Sequence, residues 1–180
     1  TLDLNGYTLG TAEALTISGT GYSTAGALTN SSATDVTYSG LITLGAAATI
    51  KASSGNITIS NVGTITGATF TLTLDGTATG SSVASIIGTT SGGLIKNGTG
   101  TWTLSGASTY TGVTTINAGT LSVSSLADGG SNSNIGASTN AAANLVLGGG
   151  TLKYTGSDVT IDRGFTLTNS TTGTIEVSTS

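Results

Sequence analysis

The sequence predicts an all-β chain wound as a parallel β-solenoid with essentially no α-helix, and three observations carry that prediction. Apolar residues recur in pairs two apart along the whole length, the spacers are rich in Gly, Asn and Asp, and only 7% of the 180 residues are charged while Pro is absent. Period two puts both members of a pair on one face of a strand. Gly, Asn and Asp tolerate positive φ and so mark the corners between strands.

In chain order the strands open with the pairs Leu2/Leu4, Tyr7/Leu9, Leu15/Ile17, Val36/Tyr38, Ile42/Leu44, Ile57/Ile59 and Leu72/Leu74. They continue through Trp102/Leu104, Leu121/Val123, Leu145/Leu147, Leu152/Tyr154, Val159/Ile161, Phe165/Leu167 and Ile175/Val177. Corners fall at Asn5-Gly6, Asp75-Gly76 and Asn97-Gly98. Helical spacing is missing, and so are the helix formers Glu, Lys, Arg and Gln in any number. A β-sandwich would normally carry Lys and Glu on its outer faces and edges to blunt edge pairing. In a coil, every strand but those at the ends pairs above and below, so low charge is tolerable and Pro, which cannot donate to the ladder, is excluded. Outward Thr residues stack on successive rungs as β-branched neighbours. At about 20 residues per rung the chain makes roughly nine rungs, a rod on the order of 40 Å long at about 4.8 Å per rung.

Composition also removes function classes. The chain has no His, Cys, Met or Gln, which leaves no Ser-His-Asp triad, thiol nucleophile, imidazole base or ordinary zinc site. Its net charge of −4 comes with no basic cluster, so nucleic acid is not an expected partner. Apolar runs fall far short of the roughly 20 residues of a membrane helix. Eight scattered aromatics make no barrel girdles, and no direct membrane insertion is expected. The absence of Met and of a signal peptide points to a section of something longer. Residues 1–180 are read as one continuous solenoid segment of that longer chain.

One stretch carries a signature. Between positions 93 and 123, Gly93, Leu94, Lys96, Gly98, Gly100, Leu104, Gly106, Tyr110, Gly112, Thr114, Ile116, Gly119 and Leu121 fall in step with one pattern. That pattern resembles the passenger-associated transport repeat of autotransporter proteins. Trp102 stands where the family usually has Leu, and Val113 where it often has a small residue; Trp102 demands extra room. Gly149 to Gly156 and Asp162 to Leu167 look like the continuation that follows such a repeat, and residues 1–92 resemble the Gly/Thr-rich coils that precede it. The resemblance implies a right-handed single-stranded parallel β-helix, part of a secreted or surface protein of a Gram-negative bacterium. It also implies that the rest of the passenger and a translocating outer-membrane barrel lie outside this segment. Residues 124–144, rich in Ser, Asn, Gly and Ala and lacking inward pairs, are expected to form a protruding loop.

No residue is assigned a catalytic, cofactor-binding or metal-binding role, and no cofactor is expected. Asp158 and Asp162 read as turn residues flanking a Val159/Ile161 strand, since no adjacent acidic pair, His or basic cluster accompanies them. Arg163 reads as a local ion pair with Asp162 or as a stem packed on Phe165. Asp75-Gly76 and Asp128-Gly129-Gly130 match only fragments of calcium loops. Lys96 reads as a solvated turn residue. Gly98 and Gly100 open no helix and so cradle no phosphate. Trp102 and Tyr110 could form a sugar platform, but core filling is the simpler role. Glycosylation sequons at Asn30, Asn56, Asn97 and Asn169 are what chance produces in a chain with 63 Ser and Thr.

The function expected is that of a non-enzymatic stalk whose rungs, each contacting its neighbours, fold stepwise during export. Two competitors stand beside it. One is a fibre subunit in which copies associate end to end by strand addition. The other is a module that binds a glycan or host surface through Thr/Asn faces.

Overall fold

The computed structural model describes residues 1–168 and 172–178. Strands stack in parallel along two long faces and one shorter one. The first face runs Leu2–Asp3, Leu28–Asn30, Ile42–Ala52, Leu72–Gly76, Leu94–Lys96, Thr114–Ile116, Leu145–Leu147 and Thr166–Leu167. The second runs Val36–Tyr38, Ile57–Ile59, Ser81–Val83, Thr101–Leu104, Thr120–Val123, Thr151–Tyr154 and Thr174–Val177. Leu15–Gly19, Thr64–Thr66 and Ile86–Gly88 form the third face, joined to the first through the long strand Ile42–Ala52. Eight strands along the first face give about eight turns, close to the nine anticipated. The only helical elements among the described residues are two 3-10 turns, Tyr22–Thr24 and Ala142–Asn144.

Register shows why alternation was a sound guide. Leu28 pairs with Ile50, Ile50 with Leu74, Leu74 with Lys96, Lys96 with Ile116, and Ile116 with Leu147. One inward column thus stays on the axis from rung to rung. On the second face Tyr38, Ile59, Val83, Leu104, Val123 and Tyr154 form an equivalent column. Between inward residues the outward ones are hydroxyls: Thr37 pairs with Thr58, Thr58 with Ser82, Ser82 with Thr103 and Thr103 with Ser122. Trp102 finds its room through register, since it lies beside Ser81 on one side and Leu121 on the other. The small Ser81 side chain leaves space for the indole, which is fully buried.

Rungs along the first face take between 20 and 26 residues until one point. Leu72 to Leu94 advances 22 residues and Leu94 to Thr114 advances 20, but Thr114 to Leu145 takes 31. The excess lies in residues 124–144, which hold no strand. Part of this excursion folds back on the coil. Ser133, Asn134, Ile135 and Ser138 are buried, and Ser108 and Ser133 form an isolated antiparallel bridge where the third face ends.

Two inward pairs are corrected. Tyr7 and Leu9 lie in a segment without strand, at 74% and 39% exposure. Val159 and Ile161 also lie outside any strand. In both places the chain crosses an end or the excursion instead of stacking on a rung, so alternation has no sheet to act on.

Candidate functional site

The signature segment supplies the most distinctive chemistry. Lys96 is fully buried, which corrects its reading as a solvated turn residue. The cause is positional: Lys96 sits two residues after Leu94, on the same inward face. Its ammonium donates to Asn97 O at 2.6 Å, Gly98 O at 2.8 Å and Ala118 O at 3.1 Å. Burial lowers its pKa to about 8, with the charge of Asp75 opposing. At neutral pH it remains an ammonium.

Trp102 and Tyr110 are both core residues and offer no sugar platform. The indole N–H of Trp102 donates to Asp75 O at 3.1 Å. The Tyr110 hydroxyl lies 2.7 Å from Thr114 Oγ1, and burial raises its pKa. Gly136 of the excursion sits against this ring so closely that a Cβ there would lie 2.9 Å from it. The signature tyrosine is therefore the floor on which the excursion rests.

Arg163 is the residue that sequence reasoning misplaced. The local ion pair with Asp162 does not form within 4 Å, the ion pairs among the described residues being Lys51–Asp75 and Lys153–Glu176. Its Nε donates to Ala127 O at 2.7 Å, and its terminal nitrogens donate to Gly136 O at 2.9 Å, Ser131 O at 3.1 Å, and Ser138 O and Oγ at 3.2 and 3.1 Å. One planar five-donor group thus gathers carbonyls spread over residues 127–138. Asp162 completes the clamp by accepting from Gly129 N–H at 2.7 Å and Asn140 Nδ2 at 2.9 Å. Those bonds, the first from Gly129, lower its pKa despite some burial. No spacing in the sequence links residue 163 to residues 127–138; the signal, if any, was a lone Arg in a chain with one.

The remaining candidates take structural places. Asp158 borders an open apolar cavity of about 300 Å³ with Leu126, Leu152, Val159, Ile175 and Val177. Asp75 accepts from Gly76 N–H and lies 3.7 Å from Lys51, and Asp128 accepts from Asp162 N–H. Among the described residues no group of three or more acidic side chains could hold a metal ion. The sequon residue Asn30 is buried, with its amide nitrogen donating to Thr34 O and Asn56 O. Asn169 lies outside the described residues. No helix among the described residues is long and apolar enough to cross a membrane.

Comparison with known proteins bears on this same segment. Residues 94–123 match the model of the passenger-associated transport repeat. The chain is also 55% identical over 89 residues to the adhesin BmaC autotransporter of Brucella suis biovar 1 (strain 1330), an overlap of 49% of this chain and 3% of that protein. The chain thus spans only a small part of the length of the curated relative it matches. No solved structure matches the chain. The two matches support an autotransporter passenger segment, surface-exposed or extracellular in a Gram-negative bacterium.

Proposed function

We propose that this passenger segment is a non-catalytic structural coil, a stalk that holds other parts of its protein away from the cell and folds rung by rung as it emerges. One observation carries the reading. Every named strand pair joins neighbouring rungs in parallel, so that no contact between distant ends of the chain has to form first. Nearest-neighbour stability of this kind lets folding nucleate at one place and propagate. Hydrogen exchange read by mass spectrometry tests it. Peptides from different rungs are expected to open with graded free energies, in spatial order along the rod. A single common opening free energy for all rungs would remove the stepwise mechanism.

A second reading draws on the relative's name, which calls that protein an adhesin. The row of outward hydroxyls from Thr37 to Thr103 offers a flat, regular face to a glycan or host surface. Binding of the purified segment to a glycan array or to host cells would support this role, and silence in both would end it. Joining of copies end to end, the remaining alternative, has an apolar edge available at Thr174–Val177. At the other end, however, residues 5–14 run along the free edge of Val36–Tyr38, with Thr37 N–H donating to Thr8 Oγ1 and the Tyr38 hydroxyl to Glu13 O. A fibre would have to displace them, and sedimentation of the segment as monomers at high concentration would count against it.

A further inference from the structure

The inward column Leu28, Ile50, Leu74, Lys96, Ile116 and Leu147 is aliphatic at every level but one. At that level a fully buried lysine directs its ammonium to three backbone carbonyls, those of Asn97, Gly98 and Ala118. An ammonium has three donors and no acceptor, so donors and acceptors are matched in number. Among the described residues no backbone N–H reaches any of these three oxygens. The two corners that present them pass through Gly98 at φ +67° and Gly119 at φ +62°, conformations that glycine adopts without strain. No carboxylate closes the site: Asp75 accepts from Gly76 N–H and faces Lys51. The groups in direct contact with the ammonium are thus all neutral dipoles, and the Asp75 charge favours it only from a distance.

We propose that Asn97 O, Gly98 O and Ala118 O form a binding site for a primary ammonium, occupied by the chain's own Lys96, and that its occupation fastens one rung corner to the next. Two of the carbonyls belong to the corner that follows Lys96 itself. The third arrives only with the next rung, after Thr114–Ile116 has stacked on Leu94–Lys96. The site is therefore a checkpoint on stacking at the heart of the transport-repeat signature, and it stands whether or not the segment serves as a stalk. A guanidinium, planar and forked, does not match a three-point site, so arginine is not a conservative replacement here.

The test uses thermal unfolding of the whole chain. Lys96→Ala keeps Cβ and leaves a gap with the shape of n-propylammonium. The variant is expected to melt roughly 10 °C lower, the consequence of losing the buried side chain and leaving three half-buried carbonyls without their donor. n-Propylammonium is expected to restore part of that loss saturably, while tetramethylammonium, which has no N–H, restores none. Lys96→Met, apolar and of similar length, is expected to melt well below the parent. Equal stability of Lys96→Met and the parent, or equal effects of the two ammonium salts, would overturn the proposal. Should the variants not fold, the parent still decides. With three lysines in the chain, nitrogen-15 NMR at about pH 6 is expected to show one ammonium resonance protected from solvent exchange. Three rapidly exchanging ammonium groups would exclude the cage.

Discussion

The two ends of this solenoid carry the same kind of sequence and meet opposite fates. At the N-terminal end the inward residues Leu4, Ile17, Val36 and Tyr38 are all buried, at 4% exposure or less. At the C-terminal end Leu167, Ile175 and Val177, which continue the inward columns, are 54%, 43% and 69% exposed. The difference is coverage. Residues 5–14 lie against the first rung, with Gly6 N–H bound to Asn30 Oδ1 and the Tyr38 hydroxyl to Glu13 O. Nothing among the described residues covers Thr174–Val177 on its outer side, where it has a free edge. In a coil, a residue's direction is set by its own alternation but its burial is set by the next rung.

The largest expected effect separates the covered interior from the open end. Trp102 is fully buried between Ser81 and Leu121. Trp102→Ala is expected to cost about 3–5 kcal/mol, from lost apolar burial and the cavity left behind. Ile175→Ala, on the open rung, is expected to cost less than about 1 kcal/mol, because much of that side chain already meets water. Urea unfolding of both variants checks the pair. Comparable losses would mean that the open end is covered in solution.

The closed end can be broken through Asn30. Its side chain links three segments, accepting from Gly6 N–H at 3.0 Å and donating to Thr34 O at 2.8 Å and Asn56 O at 3.3 Å. Asn30→Ala takes the acceptor from Gly6 N–H and the side-chain donor from Thr34 O, while Asn56 O keeps Val36 N–H, and is expected to cost about 1–2 kcal/mol. Proteolysis should then nick residues 5–14 first. If cleavage began instead near residues 174–177, the covering segment would not depend on Asn30.

These contrasts also show what could be read in advance. Direction, corner chemistry and parallel stacking are local or repeating properties, so pairs such as Ile57/Ile59 and Trp102/Leu104 were legible. Alternation carried on from Leu94 places Lys96 inward as well, two residues along, although it was read as a solvated turn residue. The carbonyls that offset its burial belong partly to another rung and leave no trace in local spacing. Arg163 was illegible for the same reason. Its partners at residues 127–138 are brought to it by the excursion's path, which no period encodes. Tyr7/Leu9 and Val159/Ile161 failed where chain leaves the rungs.

Coverage also lets the covered body hold backbone that an open end would relax. Thr69 and Thr90 have φ of +66° and +53°, rare for β-branched residues. Thr69 is held there from the rung above, its N–H donating to Thr89 O at 2.9 Å and Thr90 Oγ1 at 3.1 Å. Thr69→Asn retains the N–H and suits the left-handed region better, so it is expected to stabilise the chain by about 0.5–1 kcal/mol. A loss of stability on urea unfolding would show that the Thr69 methyl or hydroxyl contributes more than its backbone strain costs.

The smallest effect concerns acid at the closed end. Asp35 accepts from Asn56 Nδ2 and Asn56 N–H, both at 2.8 Å, and Asn56 Oδ1 accepts from Gly80 N–H, so one polar chain runs over three rungs. The Asn56 side chain first, and its backbone N–H second, hold the Asp35 carboxyl below its usual pKa. A carboxyl with a depressed folded pKa contributes stability above its unfolded value near 4, and loses that contribution as pH falls through the lower folded value. Because Asp35 is solvent-exposed, the change should be local. Once corrected for intrinsic rates, exchange at the Asn56 amide should quicken in the parent below about pH 4. In Asp35→Ala, which has no side-chain acceptor, it should be quick at every pH, while the amides paired to Thr174–Val177 respond to neither change. A pH response in the variant equal to the parent's would assign the acid sensitivity to another carboxyl, with Asp3, bound to Ser31 on the same end, as the next to replace.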